Sequence, residues 1–530
     1  MRSNLWFLVP LLISACQSDQ VQVEGDVFRY NEATGIQSLD PIHSRDQASN
    51  WANAQLYSTL VRTDSLLNIE GDLATSWGIS EDGLTLSFTL RQDAYFHHAS
   101  CFPNGQGRRV TAEDLVYSLN RLRNPLTGSS GTWVLGPMDS VWAPRPDSLV
   151  MTLHYPDQTM LGRLAMPYCS AVPREAVESV DNFGEHPVGS GPFHLKAWYR
   201  GEKLVMRRHT RYHVIDDQGV RLPYLEAVSI RFIPDRQTAF LEMVKGDLDF
   251  LTGLDPSYKD QLLDRQGQLA TRWQGDLVLR KAPFLNTEYL GIQMDPCTPA
   301  YLCDARVRKA LNLAIDRERM IRHLKNNVGQ PGDRGLIPRG MPGFDEEGAS
   351  MAYDPVAAKQ MLEEVLGDMT DLDPIVVSTT ASYRDLCSYI QSEWNNLGLK
   401  VEIEVLPSAT FREEKAQGQL AVYRASWIAD YPDPANYMML VESSQHAPAG
   451  PNAGHVSDPV IDELMASARG MTGEARIGKI ASADLRLRQE HYIIPLMYDE
   501  SVRVLREGWQ GLPPHPMNAL DLRRVRRVRD

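Results

Sequence analysis

The chain has 530 residues, enough for more than one hydrophobic core and roughly two to four domains. Its composition, 43% apolar and 23% charged, excludes a disordered chain and a chain rich in membrane spans. A net charge of −14 argues against the basic surface with which proteins neutralise nucleic-acid phosphates, and serves solubility.

Met1 to Cys16 read as a separate unit. Arg2 supplies a positive start, Leu5 to Ile13 form an apolar run too short to span a bilayer comfortably, and Ile13-Ser14-Ala15-Cys16 closes it. The closing residues resemble a bacterial lipobox, in which the cysteine becomes the acylated first residue of the mature chain. The expectation is a lipoprotein signal peptide over residues 1–16, lipid on Cys16, a polar tether over 17–26, and a soluble body held outside the cytoplasm by that lipid alone. Such a compartment permits disulfides. Cys297 and Cys303 can close a small loop, and Cys101 can pair with Cys169 across one domain, leaving Cys387 over; sequence alone leaves the connectivity open. No Cys-x-x-Cys or neighbouring histidine supports zinc.

Val27 to Asp40 read as a strand leaving into a turn at Leu39-Asp40-Pro41, and Trp51 to Thr63 as a helix burying Trp51, Ala54, Leu56, Leu60 and Val61. Leu84, Leu86, Phe88 and Leu90 alternate as a half-buried strand. Thr111 caps a helix whose Leu115, Leu119 and Leu122 share a face, with Asp114 completing a short capping box. Gly189 and Gly191 permit a tight path before a strand from Phe193 to Trp198. Strand Val228 to Ile233 leads to a helix that stops at Gly246, and Asp249 opens another strand. Asp304 precedes a helix that buries Val307, Leu311, Ala314 and Ile315 and turns Arg306, Arg308 and Lys309 mostly to solvent. After a helix capped by Asp354-Pro355 and closed at Gly367, strand Pro374–Thr379, helix Arg384–Leu397 and strand Leu399–Val405 form a β-α-β unit with parallel strands. A strand from Leu420 then ends in the turn-rich Trp427-Ile428-Ala429-Asp430-Tyr431-Pro432-Asp433-Pro434. His491 to Met497 is a last apolar strand, followed by a Pro-rich turn and an Arg-rich tail that is either a solvated strand edge or a contact with anionic lipid.

Several of these segments, in this order, resemble the extracytoplasmic solute-binding proteins of peptide/nickel-type ABC importers. The resemblance rests on Leu39-Asp40-Pro41, Leu73 to Trp77, Leu90-Arg91, Phe96-His97, Val110 to Asp114, Pro187 to Phe193, Gly246 to Asp249, Arg306 to Leu311 and Leu420 to Pro434, and it covers nearly the whole mature chain. It implies an α/β, bilobal periplasmic-binding-protein-like fold of type II in the large peptide-binding variant, with an extra domain in the first lobe. The implied division is 27–44, 180–282 and 496–530 for lobe I, 45–179 for the additional domain, and 283–495 for lobe II.

Catalytic constellations are missing: no His-Glu-x-x-His, no nucleophile elbow, no phosphate loop and no dinucleotide fingerprint. His97-His98 is a poor metal half-site, because neighbours on a strand point to opposite faces. The expectation is a non-enzyme without cofactor or metal. What remains is binding chemistry at the end of the Leu420 strand. In oligopeptide-binding relatives an aspartate at this place pairs with the ligand's α-amino group, which implies Asp430 here. An arginine before the tryptophan reaches the ligand's carboxylate, which implies Arg424, although pairing with a neighbouring acid is the equal alternative. Trp427 and Tyr431 offer amphipathic walls, and Arg45 and Trp133 line the facing side. The implied function is capture of short peptides between the lobes by a monomer and delivery to an ABC permease. Nickel, haem or a glycan on the same fold, or a sensory surface lipoprotein, are the alternatives.

Overall fold

The computed structural model describes residues 26–348 and 350–528; the signal-like segment, Cys16 and the tether up to Gly25 lie outside the described residues. In chain order the framework consists of β1 (Val27–Asn31), α1 (Gln47–Leu56), β2 (Ala74–Ile79), β3 (Thr85–Leu90), α2 (Ala112–Arg123), β4 (Met138–Arg145), β5 (Ser148–Leu153), α3 (Met160–Leu164), β6 (Phe193–Tyr199), β7 (Lys203–Arg208), β8 (Ala227–Arg231), α4 (Arg236–Lys245), β9 (Phe250–Thr252), β10 (Leu277–Ile292), α5 (Ala305–Leu313), β11 (Ile375–Thr379), α6 (Arg384–Asn395), β12 (Val401–Val405), β13 (Val422–Ile428) and β14 (Ile493–Arg506).

One mixed sheet runs in the order β12-β11-β13-β10-β14-β9-β1-β8-β7-β6. Its long central strands, β10 and β14, pair antiparallel from Leu277 opposite Arg506 to Pro283 opposite Glu500, lose register, and resume from Thr287 opposite Tyr498 to Gly291 opposite Ile493, with a further one-residue shift between Glu288 and Tyr289. The break falls where Pro283 has no N–H to give and Asp499 and Glu500 interrupt the apolar pattern. Before it β14 borders β9; beyond it β10 borders β13. The sheet thus has two halves joined through two strands, each half with its own buried cores. The β11-α6-β12 unit is parallel, with Ile375 opposite Val401, and β13 lies parallel to β11 on its other side. A separate sheet, β2-β3-β5-β4, belongs to the segment between β1 and β6.

The sequence motifs turn out to be fasteners. Asp40 takes two bonds from the Arg121 guanidinium, at 2.8 and 2.5 Å, with both side chains largely buried. Removing one partner of such a pair strands the other charge, at a cost of about 3–5 kcal/mol. The Asp114 carboxylate accepts from the Thr111 backbone N–H at 2.8 Å and also binds Arg108. Asp249 holds Arg29 of β1 through both side-chain oxygens. The Gly189-Ser190-Gly191 loop lies directly on the end of α1: a Cβ on Gly189 would sit 2.0 Å from the Leu56 carbonyl oxygen, and one on Gly191 2.5 Å from the Leu56 carbonyl carbon. His97 clamps that loop, its Nδ1 accepting from Gly189 N–H at 3.2 Å and its Nε2 donating to Gly191 O at 3.1 Å. Burial and the neighbouring His209 hold the His97 imidazolium form well out of reach, so it works as a neutral hydrogen-bonding spacer. His98 is occupied too, by Gly107 N–H at 3.2 Å.

Several expectations need correction. The first helix runs from Gln47 to Leu56, not Trp51 to Thr63, because the Asp46 side chain caps it from Ser49 N–H at 2.9 Å. Val61 to Thr63 form a short strand against Ile69 to Gly71 instead. Arg308 is buried, not solvated: it donates to the Leu302, Cys303 and Glu490 carbonyls, which fix the turn before α5. Cys297 and Cys303 form a disulfide, but Cys101 and Cys169 are both free. Cys169 is buried with its thiol directed at the Arg163 carbonyl, and burial pushes that thiol up to about 12, while Cys101 lies in the loop after His98. Among the described residues no helix is long and apolar enough to cross a membrane.

Because a methyl at position 191 meets backbone rather than a flexible side chain, Gly191→Ala is expected to destabilise the protein by about 1–3 kcal/mol. Urea unfolding checks this; an unchanged midpoint would contradict the contact.

Candidate functional site

The segment after β13 is held by one side chain. Asn436 is fully buried, and its Oδ1 accepts from the Trp427 indole N–H and from the Asp430 backbone N–H, both at 3.0 Å. Its Nδ2 donates to Asp430 Oδ2 at 3.1 Å. One amide therefore fixes the tryptophan, the aspartate's backbone and the direction of its carboxylate. Asp433 anchors the far end of the turn, accepting from Ala435 N–H at 2.9 Å and from Arg476 at 2.7 and 2.9 Å. Asn436 and Asp433 thus build the turn, and the two prolines between Tyr431 and Ala435 restrict the backbone they brace. Burial pushes the Asp430 carboxyl above the ordinary aspartate range, with the Asn436 bond and the Arg163 charge pulling back. Among the described residues no protein donor reaches its second oxygen.

Across from this turn stands a residue that sequence reasoning missed. Arg163, on the short helix α3, projects between Trp133 and Tyr431, its guanidinium carbon 5.5 Å from the first ring centre and 4.7 Å from the second. Its Nε donates to Thr159 Oγ1 at 2.7 Å, its Nη2 to the Tyr431 hydroxyl at 3.2 Å, and Asp157 balances its charge at 3.4 Å. Next to it, a Cβ on Gly162 would lie 3.3 Å from Pro432 and 3.4 Å from Tyr431, so the small residue lets α3 close onto the turn. No motif marks Arg163 in the sequence; an isolated arginine in a short helix has no local signature.

The candidate residues therefore separate. Asp430, Tyr431 and Trp133 are brought together around Arg163, and Trp427 is tied to Asp430 through Asn436. Tyr168 joins them: the Asp430 charge contributes to raising its phenol, with burial the larger cause. Arg45 is solvent-exposed; it is close enough to act electrostatically on Tyr168. Tyr431 is not an open wall but lies almost wholly buried under Arg163. Arg424 stands apart from all of them. Its guanidinium is ion-paired with Glu288 of β10 and lies over the Tyr383 ring at 3.1 Å. Of the two readings of Arg424, the structure takes the neighbouring acid. Among the described residues no cluster of three or more His, Cys, Asp or Glu is arranged to hold a metal.

Residues 68–449 match the family described as bacterial extracellular solute-binding proteins, family 5. The chain belongs to this family. A family 5 relative, the probable D,D-dipeptide-binding periplasmic protein DdpA of Escherichia coli, is 27% identical over 86% of this chain and 84% of its own. The heme-binding protein A of Haemophilus influenzae is 26% identical over 88% of this chain and 86% of its own. Among solved structures, the periplasmic binding protein DppA of Helicobacter pylori in complex with the peptide STSA superposes with a TM-score of 0.78 at 22% identity, covering 95% of this chain and 98% of that one. At that identity the likeness establishes the fold, the bilobal α/β arrangement of family 5.

Two outcomes follow from the geometry. Asn436→Ala leaves the Trp427 and Asp430 N–H groups without their acceptor and is expected to cost about 1–3 kcal/mol, read from thermal or urea unfolding. Arg163→Ala removes a cation between two rings, about 0.5–2 kcal/mol of contact. It is expected to raise the radius of gyration in small-angle scattering while the far-UV circular dichroism stays unchanged; an unaltered scattering profile would mean that α3 does not hold the turn.

Proposed function

We propose that this family 5 protein is a lipid-anchored, extracytoplasmic binding protein that captures short peptides between two lobes and hands them to an ABC permease. The observation that carries the peptide reading is Asp430: a largely buried carboxylate, oriented by Asn436 and left with one free oxygen. A buried anion without a matching cation is costly, and a ligand ammonium supplies that cation with charge-assisted hydrogen bonds. The half-buried indole of Trp427 and the partly exposed Trp133 add apolar area that tolerates varied side chains. The peptide-bound fold relative and the dipeptide-binding names among family members support the same choice. Haem is the second reading, favoured by one relative's name.

The lobe division proposed here is 27–44, 180–282 and 496–530 against 283–495, with 45–179 as an added domain. It is supported by the change of strand neighbours beyond Pro283 on β10 and Glu500 on β14. Closure would then be a hinge at that irregularity, with the ligand biasing an accessible state. Acylation of Cys16, action as a monomer without nucleic-acid partners, and the absence of catalysis complete the proposal.

Asp430→Asn is expected to weaken binding of free peptides by tenfold or more, about 1.5–3 kcal/mol for a hydrogen bond to a charged group, without changing the unfolding midpoint downward. The pH dependence has a definite sign. The folded-state pKa of Asp430 lies above its unfolded value, so the protonated form is favoured by folding and ionisation at neutral pH costs stability. A bound ammonium reverses that cost, so affinity should fall as acidification protonates the carboxyl, beginning above the usual aspartate range. Titration calorimetry with free and N-acetylated peptides across pH checks both; equal affinity for the two would refute the role of Asp430, and a haem or metal mass retained in native mass spectrometry would replace the peptide reading.

A further inference from the structure

The chain carries a net charge of −14, yet it runs Arg523-Arg524-Val525-Arg526-Arg527-Val528 near its carboxyl end. Arg523 is ion-paired with Asp521. Arg524, Arg526 and Arg527 are exposed, and among the described residues none of the three forms an ion pair. Arg526 and Arg527 pair antiparallel with Trp509 and Gln510, so backbone bonds hold this ribbon in place. The Arg526 guanidinium lies over the Tyr224 ring at 5.3 Å, and Arg524 acts electrostatically on the same phenol and on Asp216. The Tyr224 hydroxyl donates to Asp216, whose carboxylate also closes a turn by accepting from Val220 N–H at 2.8 Å. That turn presents Ile215, 49% exposed, and Val220, 44% exposed, and Val528, two positions beyond Arg526, is 41% exposed.

The backbone entering β1 runs past the same place. Asp26 O accepts from Glu226 N–H at 3.0 Å, and two residues earlier Tyr224 N–H donates to Arg523 O at 3.2 Å. The start of β1 and the arginine ribbon therefore flank one short segment, Tyr224 to Glu226. Nine residues separate Cys16 from Asp26, so a lipid on Cys16 would keep this edge within roughly 35 Å of the bilayer even at full extension. A surface tethered so closely meets headgroups at high effective concentration, where a few arginines suffice for attraction to anionic lipid. Exposed aliphatic side chains set among guanidinium groups complement an anionic lipid–water interface. We propose that the Arg524–Arg527 ribbon and the Ile215–Val220 turn form a membrane-contacting edge. It docks on anionic phospholipid headgroups beside the anchor and gives the body a second point of attachment, an arrangement that rests on the acylation of Cys16 proposed above.

The test places the acylated mature protein in nanodiscs of phosphatidylcholine, alone or with about one-third phosphatidylglycerol, and follows hydrogen exchange of peptides covering residues 213–224 and 522–528. Exchange of both is expected to slow by about tenfold or more in the anionic discs and to regain the phosphatidylcholine rate at about 0.5 M salt. Arg524→Gln combined with Arg526→Gln is expected to abolish the difference, whereas Arg145→Gln, an exposed arginine on the separate sheet, is expected to keep it. Unaltered circular dichroism and urea midpoints show that the variants are folded. Equal exchange in the two kinds of disc, or a double variant that still distinguishes them, overturns the proposal. A double variant that keeps its protection in anionic discs but loses peptide uptake in cells assigns the edge to a protein partner and overturns it too. Intact mass reports acylation separately. If Cys16 carries no lipid, the anchoring reading fails, and co-sedimentation of the unacylated chain with vesicles of the same two compositions decides the basic edge alone: preference for the anionic vesicles supports it and equal sedimentation overturns it.

Discussion

Two strands passing side by side through both halves of one sheet impose the constraint on which everything else depends. β10 and β14 are paired on each side of a register break, so the halves cannot separate without breaking the ladder, while the break itself lacks regular ladder pairing. Backbone pairing on either side keeps each half rigid, and the few residues between Pro283 and Thr287 are where a change of backbone angle is least costly. The turn with Asp430 follows β13, which is hydrogen-bonded to β10 just beyond that break.

Against this frame, the electrostatics of the cleft are arranged by commitment rather than by number of charges. Arg163 is neutralised by Asp157, Arg424 by Glu288, and Arg476 by Asp433. Asp430, by contrast, has only an amide and a more distant guanidinium to stabilise it, and burial raises its carboxyl accordingly. In a low-dielectric environment a charged group whose partner is missing carries a desolvation cost that a partner of opposite charge offsets. Glu32 on the β1 side resembles it: burial pushes it up to about 7, and its Oε1 has no hydrogen bond among the described residues.

Much of the architecture was legible from local chemistry. Capping signals at Thr111, Asp304 and Asp354, stop signals at Gly246 and Gly367, and the alternation from Leu84 to Leu90 specify elements through neighbouring residues, and the β11-α6-β12 unit was readable because helix and strand periods differ. The long strand β10 was not, and β14 was legible only in its first part, up to Met497, since the polar residues at their middle, Asn286, Glu288, Asp499 and Glu500, break the pattern at the very place where they cross between halves. The first helix was misplaced for a related reason: buried Leu60 and Val61 continue the apolar count, but the Gly189 and Gly191 backbone packed on Leu56 is remote in sequence.

For the site, the residues themselves determined that Asp430 follows a strand end in a turn braced by prolines, with aromatic neighbours, in a chain without catalytic motifs. Those properties are local, written within a dozen positions. Only the tertiary structure decided which charges are already satisfied. Arg424 could have served a ligand or a neighbour, and Glu288, far away in the chain, took it; Tyr431 could have faced solvent, and Arg163, from the opposite side of the cleft, covered it. Whether a side chain is free depends on partners brought near by folding, and sequence spacing carries no record of them.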